Sequence, residues 1–274
     1  MKNPPEILGR IAESTLVRVA KAKEILSVEK ARDQALELSE CASKKTEHEA
    51  VFPVSFESAL AAPGLSFICE VKKASPSKGI IAQDFPWLKI AKEYEDGGAA
   101  AISVLTEPEF FLGSDQYLRE ISAAVKIPAL RKDFIIDLYQ LYEAKLWGAK
   151  AALLICAMLE PDELELFLKI AKTLALDCLV EIHSEKEADE ALAAGVRIIG
   201  INNRDLTTFK VDTGLTSRLI KKIPAKILTV AESGVNCTDD IRKIKDTGAD
   251  AVLIGESLMR SADKKGFLRE LLSV

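Results

Sequence analysis

Two charged residues at the end of an apolar strand-like run are the first candidates for chemistry. Glu70 and Lys72 follow the run that begins at Phe67, and alternate positions place both side chains on one face of an extended strand. The loop Ala74–Gly79 comes next, and its proline, glycine and serines are typical of irregular backbone. A carboxylate beside an amine can bind an anion or move a proton, so this stretch predicts part of an active site. A strand-end salt bridge beside a polar loop is the alternative.

The elements that must position these residues alternate along the chain. Apolar, β-rich runs occur at Phe67–Lys72, Ala100–Leu105, Ala129–Lys132, Ala151–Ala157, Cys178–Ile182, Ile198–Asn202, Ile227–Ala231 and Ala251–Gly255. Amphipathic stretches lie between them at Pro86–Asp96, Ser114–Val125, Leu138–Trp147, Pro161–Leu174, Glu185–Ala194, Thr216–Ile223 and Thr238–Asp246, with a last one after Ala262. This alternation predicts parallel strands joined by helices.

An internal repeat indicates how the strands are arranged. Glycines that close a helix before the next strand recur roughly every fifty residues, which marks every second strand: Gly98, Gly148, Gly195 and Gly248. The sequence Lys-Ile-Pro-Ala also occurs twice before a strand, at 126–129 and 222–225. We therefore predict an α/β fold, a single (βα)8 TIM barrel. An open doubly wound sheet is the alternative, although no Gly-x-Gly-x-x-Gly turn follows the first strand.

The front of the chain precedes the first strand and has helical spacing of its apolar residues. Residues 6–40 predict one or two helices with a break near Ser27, and Phe52–Leu60 predicts a short third helix. This section has too few apolar residues for a core of its own. We predict that residues 1–62 form an N-terminal helical extension packed on the barrel, and that residues 63–274 form the catalytic barrel.

The predicted strand ends are unusually polar, and in such a barrel they share one face. They carry Glu70, Lys72, Lys132, Glu181, Asn202, Glu232 and Ser233. Burying an unpaired charge is costly, so we expect these groups to be paired or catalytic. Strands seven and eight end in Ser233-Gly234 and Gly255-Glu256, whose exposed backbone N–H groups can bind a phosphate. Two tight turns that need glycine are the alternative.

Apolar residues on the same loops suit a flat, aromatic part of a substrate. Phe111 follows the second strand, Phe134 follows Lys132, and Leu206 follows the Asn202-Asn203-Arg204 stretch.

Composition excludes several classes of function. The chain has 274 residues, of which 48% are hydrophobic and 29% charged, and its net charge of -5 gives no electrostatic basis for binding nucleic acid. The longest apolar run, Ala151–Leu159, is too short to span a membrane. The first residues lack the apolar core of a signal peptide, so we expect a cytoplasmic protein. Five scattered cysteines and two histidines, His48 and His183, predict no disulfide and no metal site.

Seven blocks of the sequence closely resemble the indole-3-glycerol phosphate synthase family. They are Glu70–Gly79 (EVKKASPSKG), Ser103–Ser114 (SVLTEPEFFLGS), Leu130–Tyr139 (LRKDFIIDLY), Leu179–Ile182 (LVEI), Ile199–Leu206 (IGINNRDL), Ala231–Val235 (AESGV) and Leu253–Arg260 (LIGESLMR). The resemblance spans residues 60–262 and is looser in the helical extension. It implies closure of an indole ring on 1-(2-carboxyphenylamino)-1-deoxyribulose 5-phosphate, with loss of carbon dioxide and water and with no cofactor or metal.

The resemblance also implies roles for individual residues. Lys132 is the expected acid in ring closure and Glu181 the base in dehydration, while Lys72, paired with Glu70, binds the substrate carboxylate and is a candidate second acid. The remaining implied contacts are Asn202, Glu232 and Ser233 with hydroxyls and lysines; Ser75, Gly234, Gly255, Glu256 and Arg204 at the phosphate; and Phe111, Phe134, Pro76 and Leu206 at the aromatic ring. The implied partner is this small phosphorylated molecule, bound by a monomer, with a weak dimer as the alternative.

Two other functions stay open at this point. An aldolase of the same architecture would use Lys132 to form a Schiff base. A barrel without activity would bind only a metabolite or a partner, although the set of two lysines and two glutamates argues against it.

Overall fold

Eight parallel strands close into a barrel. The computed structural model describes residues 6–43, 54–205 and 207–274, and for residues 42 and 43 it describes the backbone only. The strands are β1 (Ser66–Val71), β2 (Ala101–Leu105), β3 (Ala129–Lys132), β4 (Ala151–Ile155), β5 (Asp177–Ile182), β6 (Ile198–Asn202), β7 (Leu228–Glu232) and β8 (Ala251–Ile254). Each strand pairs with the next along the chain, and β1 pairs with both β2 and β8. The predicted barrel is confirmed, and the open sheet is excluded by this closure.

Helices follow the strands and cover the barrel. They are α4 (Trp87–Gly97), α5 (Asp115–Ala124), α6 (Tyr139–Leu146), α7 (Pro161–Thr173), α8 (Glu185–Ala193), α9 (Gly214–Leu219), α10 (Thr238–Thr247), α11 (Glu256–Arg260) and α12 (Lys264–Leu272), with a short 3-10 turn at Ile220–Lys222. Two two-residue strands, Ala74–Ser75 and Gly79–Ile80, form a small hairpin after β1. Gly98 and Gly248 end helices with φ of 105° and 82°, a conformation that favours glycine.

Two apolar cores stabilise the barrel. One fills its interior with side chains such as Ile68, Leu130 and Leu179, and the other lies between the strands and the surrounding helices. The interior core also includes Leu8 from the first helix and Phe56 from the third, so helical residues from the front of the chain complete it. Burial of each such side chain contributes about 1.5–3 kcal/mol.

Three helices precede β1: α1 (Glu6–Ile25), α2 (Val28–Ser43) and α3 (Phe56–Leu60). The helical conformation is interrupted between α1 and α2, at the predicted position near Ser27. The second helix packs along α6, and its Ala31 and Ala35 are fully buried. Among the residues that the structure describes, no helix is both long enough and apolar enough to be a membrane span.

Candidate active site

A cavity of about 660 Å³ opens at the carboxyl ends of the strands. Every predicted site residue within the described part of the chain lines it: Glu70, Lys72, Ser75, Pro76, Phe111, Lys132, Phe134, Glu181, Asn202, Arg204, Glu232, Ser233, Gly234, Gly255 and Glu256. Leu206, the other predicted residue, lies outside the described residues. The barrel therefore brings together residues that are up to 186 positions apart in the chain (256 − 70).

The first ion pair of the cavity is Lys72 with Glu70 on β1. The ammonium of Lys72 donates to Glu70 Oε1, and Ser103 Oγ donates to Glu70 Oε2 over 3.4 Å. Burial alone would raise the pKa of Glu70, but Lys72 and Lys132 outweigh burial and hold this pKa below its ordinary value. A Cβ at Gly255 would lie 2.5 Å from Glu70 Oε1, so the absence of a side chain there leaves room for the pair.

The second ion pair is Lys132 with Glu181, from β3 and β5. Lys132 Nζ lies 3.6 Å from Glu181 Oε2, and only 3% of the Glu181 side chain is exposed. Burial lowers the pKa of Lys132, but Glu181, Glu232 and Glu70 together raise it above the ordinary lysine value. Lys132 is therefore an ammonium at neutral pH. Burial raises the pKa of Glu181, and the opposing attraction of Lys132 brings it down to about 2.

Glu232, at the end of β7, differs from the other two glutamates. Its Oε1 is buried and has no hydrogen-bond partner among the described residues. Burial and the neighbouring Glu181 raise the pKa of Glu232 to about 8, despite the attraction of Lys132. The carboxyl lies over Gly200 of β6, where a Cβ would be 2.1 Å from Glu232 Oε1. The site thus holds two ionised carboxylates and one that keeps its proton near neutral pH.

A buried network lies behind Lys132. The next residue, Asp133, binds Arg18 of α1 through two contacts, Nη2 to Oδ1 at 2.7 Å and Nη1 to Oδ2 at 3.1 Å. Arg131 Nη2 at 2.9 Å and Thr106 Oγ1 at 2.7 Å also donate to Asp133 Oδ2. Burial raises the pKa of Asp133, but Arg131 and Arg18 bring it below the ordinary value. The strand end that carries Lys132 is therefore fixed to the N-terminal helix.

The aromatic residues form one wall of the cavity. The rings of Phe111 and Phe134 lie 5.7 Å apart with an interplanar angle of 38°. This separation is a direct aromatic contact, so no substrate ring fits between these two side chains. The contact that sequence predicts between these two residues and an aromatic substrate ring is therefore restricted to a ring that stacks against the pair.

The predicted phosphate end is built by the turns after β6, β7 and β8. Asn202 Oδ1 accepts from the backbone N–H of Arg204 at 3.0 Å and from Ser233 Oγ at 2.9 Å. The hydrogen bond from Ser233 to Asn202 helps hold Ser233 at a φ of 64°, which is unusual for a residue other than glycine. Gly234 follows with a φ of 97°. The Glu256 carboxylate turns to Arg260 at 3.1 Å and to Lys78 at 3.5 Å.

Comparison with known proteins identifies the family. Residues 10–271 match the family described as indole-3-glycerol phosphate synthase. The chain belongs to this family. It is 51% identical over 265 residues to the indole-3-glycerol phosphate synthase of Ruminiclostridium cellulolyticum, which covers 97% of this chain and 98% of that protein. It is 52% identical to the protein of the same name from Endomicrobium trichonymphae, again over 265 residues, with 97% and 99% covered.

Solved structures of other enzymes share the fold at low sequence identity. A thiamine phosphate pyrophosphorylase from Pyrococcus furiosus superposes with a TM-score of 0.58 at 19% identity, and 80% of this chain and 96% of that one are covered. An N-acetylmannosamine-6-phosphate 2-epimerase from Clostridium perfringens gives 0.60 at 16% identity, with 78% and 93% covered. At these identities the likeness concerns the barrel alone.

Sequence reasoning missed several parts of this candidate site. Ile7, Leu8 and Ile11 of α1 line the cavity, but their spacing indicated only an amphipathic helix. A glycine inside a strand often marks a place where another group approaches the backbone closely, so Gly200 could have indicated that a side chain lies against β6.

Within the described residues, no group of three or more His, Cys, Asp or Glu side chains is arranged to hold a metal ion.

Proposed function

We propose that this chain converts 1-(2-carboxyphenylamino)-1-deoxyribulose 5-phosphate into indole-3-glycerol phosphate, carbon dioxide and water. Family membership supports the reaction, and one observation carries the site assignment. Lys72 and Lys132 meet Glu70, Glu181 and Glu232 in a single cavity, which is also lined by an aromatic wall and by turns suited to a phosphate. Burying such a set of charges is costly even when they pair, and charged groups with perturbed pKa values that gather in one cavity are typical of catalytic sites.

Ring closure needs an acid at the carbonyl oxygen. When the ring carbon attacks the ribulose carbonyl, negative charge develops on that oxygen, and the Lys132 ammonium stabilises it and delivers a proton. The raised pKa of Lys132 keeps this proton in place until that charge appears. Loss of carbon dioxide then restores the aromatic ring.

Dehydration needs an acid for the leaving hydroxyl and a base for a ring proton. Glu181 is the base that we propose, and Lys72 binds the substrate carboxylate and is a candidate second acid. The pKa of Glu181 is low as long as the Lys132 ammonium faces its carboxylate. A Lys132 that turns to the substrate attracts Glu181 less, so Glu181 becomes a stronger base during the reaction. Asn202, Glu232 and Ser233 orient substrate hydroxyls and the two lysines.

The two ends of the substrate have separate contacts. Backbone N–H groups near Ser75, Gly234, Gly255 and Glu256 hold the phosphate, and the Glu256 carboxylate is kept away from it by Lys78 and Arg260. Arg204 Nη1 donates to the carbonyl of Phe209 at 3.2 Å, and the other N–H groups of the guanidinium can still donate to the phosphate. Phe111, Phe134 and Pro76 contact the anthranilate ring, and Leu206 is proposed there from sequence alone.

The assay is growth of indole fluorescence on addition of the substrate to the purified chain. Lys132→Ala and Glu181→Gln should each lower kcat by about 10²–10⁴-fold, with KM much less affected. Lys169→Ala and Glu165→Gln, an exposed ion pair on α7, are matched controls that should retain turnover. Near-normal turnover of Lys132→Ala would refute its role as the acid.

The Schiff-base alternative is less well supported by the site. An amine that attacks a carbonyl must be unprotonated, and lysines that do so commonly have a lowered pKa. Three carboxyl groups raise the pKa of Lys132 instead. Borohydride with a sugar phosphate should therefore not trap this chain, and trapping that is lost in Lys132→Ala would favour an aldolase.

We also infer that the enzyme acts in the cytoplasm as a monomer, with a weak dimer as the alternative. Its net charge of -5 argues against nucleic acid as a partner. Light scattering after size-exclusion chromatography tests the oligomeric state.

A further inference from the structure

We propose that His183 is a positioning residue that holds the Glu181 carboxylate for proton transfer, as part of a row Glu187–His183–Glu181–Lys132 with alternating charge. The proposal rests on the function proposed above, in which Glu181 is the base. His183 does not line the cavity, so its action is exerted through Glu181.

The geometry of the row is defined at both ring nitrogens. His183 Nε2 lies 3.3 Å from Glu181 Oε1, and His183 Nδ1 lies 3.4 Å from Glu187 Oε2. Only 15% of the His183 side chain is exposed. Neither ring nitrogen is aligned for a hydrogen bond to its carboxylate, so these contacts are close ion pairs. An imidazole that faces a carboxylate at each nitrogen is favoured with a proton on both, and therefore as a cation.

Glu187 is itself firmly placed. Its Oε2 accepts from the backbone N–H of His183 at 2.7 Å, and its own N–H donates to Ser184 Oγ at 3.2 Å. Ser184 is the residue that caps α8. The start of this helix therefore fixes both the backbone and the ring of His183, in a way that a mobile surface carboxylate could not.

The charged groups around the imidazole are acidic. Glu181 of β5 and Glu187 of α8 contact it, and Asp205 and Glu232, after β6 and at the end of β7, interact with it at longer range. The thiol of Cys156 approaches the backbone oxygen of Glu187 at 3.9 Å. Burial lowers the pKa of His183, but the facing carboxylates of Glu181 and Glu187 raise it to about 10.

The two oxygens of Glu181 are divided between two cations. Oε1 faces His183, and Oε2 faces Lys132 at 3.6 Å. In the proposed reaction Lys132 turns to the substrate, which frees Oε2 to accept a proton. His183 then remains at Oε1 and keeps the carboxylate in place, so the base is oriented at the step that needs it.

The charge of His183 can be measured directly, because the chain has two histidines. In the His48→Gln variant a single imidazole remains for NMR. We expect its signals to stay at the protonated position from about pH 6 to about pH 9, as a strongly stabilised imidazolium requires. Titration near neutral pH in this variant would overturn the proposal, whatever the activity.

Kinetics test the positioning role. His183→Gln should lower kcat by about 10–100-fold with KM changed less than about threefold, as expected for a group that orients the base without binding substrate. Glu187→Gln leaves the ring but removes one carboxylate, so the imidazole should titrate at lower pH. The kcat profile of this variant should gain an alkaline limb at the same midpoint as the imidazole titration observed by NMR.

Lys186→Gln, an exposed change on α8, is the matched control and should behave as the unmodified chain. A His183→Gln enzyme within about twofold of normal kcat, or a shifted imidazole titration with an unchanged kcat profile, would refute the positioning role. Circular dichroism of each variant separates loss of fold from loss of orientation. Absence of product with the unmodified chain would instead refute the proposed function, since the NMR measurement needs no turnover.

Discussion

The contact between α1 and the strand end beside Lys132 gives the sharpest prediction about how the helical extension supports the barrel. Arg18→Met removes the guanidinium that binds both oxygens of Asp133 and keeps most of the apolar stem. The Asp133 side chain is fully buried, while 24% of the Arg18 side chain is exposed. The variant therefore leaves a buried carboxylate with fewer partners, and the loss falls next to the proposed acid.

The expected magnitude follows from the remaining partners. Removing one member of a fully buried ion pair costs about 3–5 kcal/mol. Asp133 keeps Arg131, Thr106 and the backbone N–H of Phe134, and Arg18 is partly solvated. We therefore expect a smaller loss of about 1–3 kcal/mol in the free energy of unfolding. Because Asp133 adjoins Lys132, kcat should fall more than KM rises.

Urea unfolding followed by circular dichroism, with kcat and KM from the product assay, measures both effects. Arg18→Lys should recover only part of the loss, since one ammonium cannot make the paired contacts of a guanidinium. Lys21→Met changes an exposed residue of the same helix and is the control. An Arg18→Met midpoint equal to that of Lys21→Met would refute the reasoning.

Two further predictions concern the carboxyl group over Gly200. The folded pKa of Glu232, about 8, lies above its ordinary value of 4.5, so stability falls as pH rises between these values. The melting temperature of Glu232→Gln relative to the unmodified chain should therefore rise over that range, and a constant difference would contradict the raised pKa. Gly200→Ala forces a methyl against Glu232 Oε1, so it should cost about 1–3 kcal/mol and lower kcat. Gly9→Ala, where the added methyl meets nothing within 4 Å, is the control, and a Gly200→Ala enzyme of normal stability and kcat would show that the carboxyl relocates freely.

Much of the fold could be predicted because barrel strands are buried on both faces. Such strands are continuous apolar runs bounded by turn residues, and two of the predicted strands, Ala129–Lys132 and Ile198–Asn202, have the observed bounds. Once the strands were placed, the barrel itself dictated that their carboxyl ends meet. The composition of the cavity therefore followed from chain order, without knowledge of any distance.

What could not be predicted depends on contacts between distant residues. Arg18 and Asp133 are 115 positions apart, and neither residue indicates its partner. The same holds for Phe111 and Phe134, whose direct contact restricts where a substrate ring can stack. Protonation is a property of the assembled site: Glu181 and Glu232 are the same residue type at equivalent strand ends, yet their pKa values are driven in opposite directions.

This difference between two glutamates follows from the number of cations available. Lys72 pairs with Glu70, and both Lys132 and His183 pair with Glu181. Of these three glutamates, Glu232 is therefore the one that has no close cation of its own among the described residues. Its raised pKa then lets it remain neutral while the substrate brings in a carboxylate and a phosphate. A fully ionised Glu232 would repel both groups, in a cavity where burial strengthens every charge interaction. In the proposed reaction, the proton on Glu232 thus limits the negative charge that Lys72 and Lys132 must offset in addition to that of the substrate.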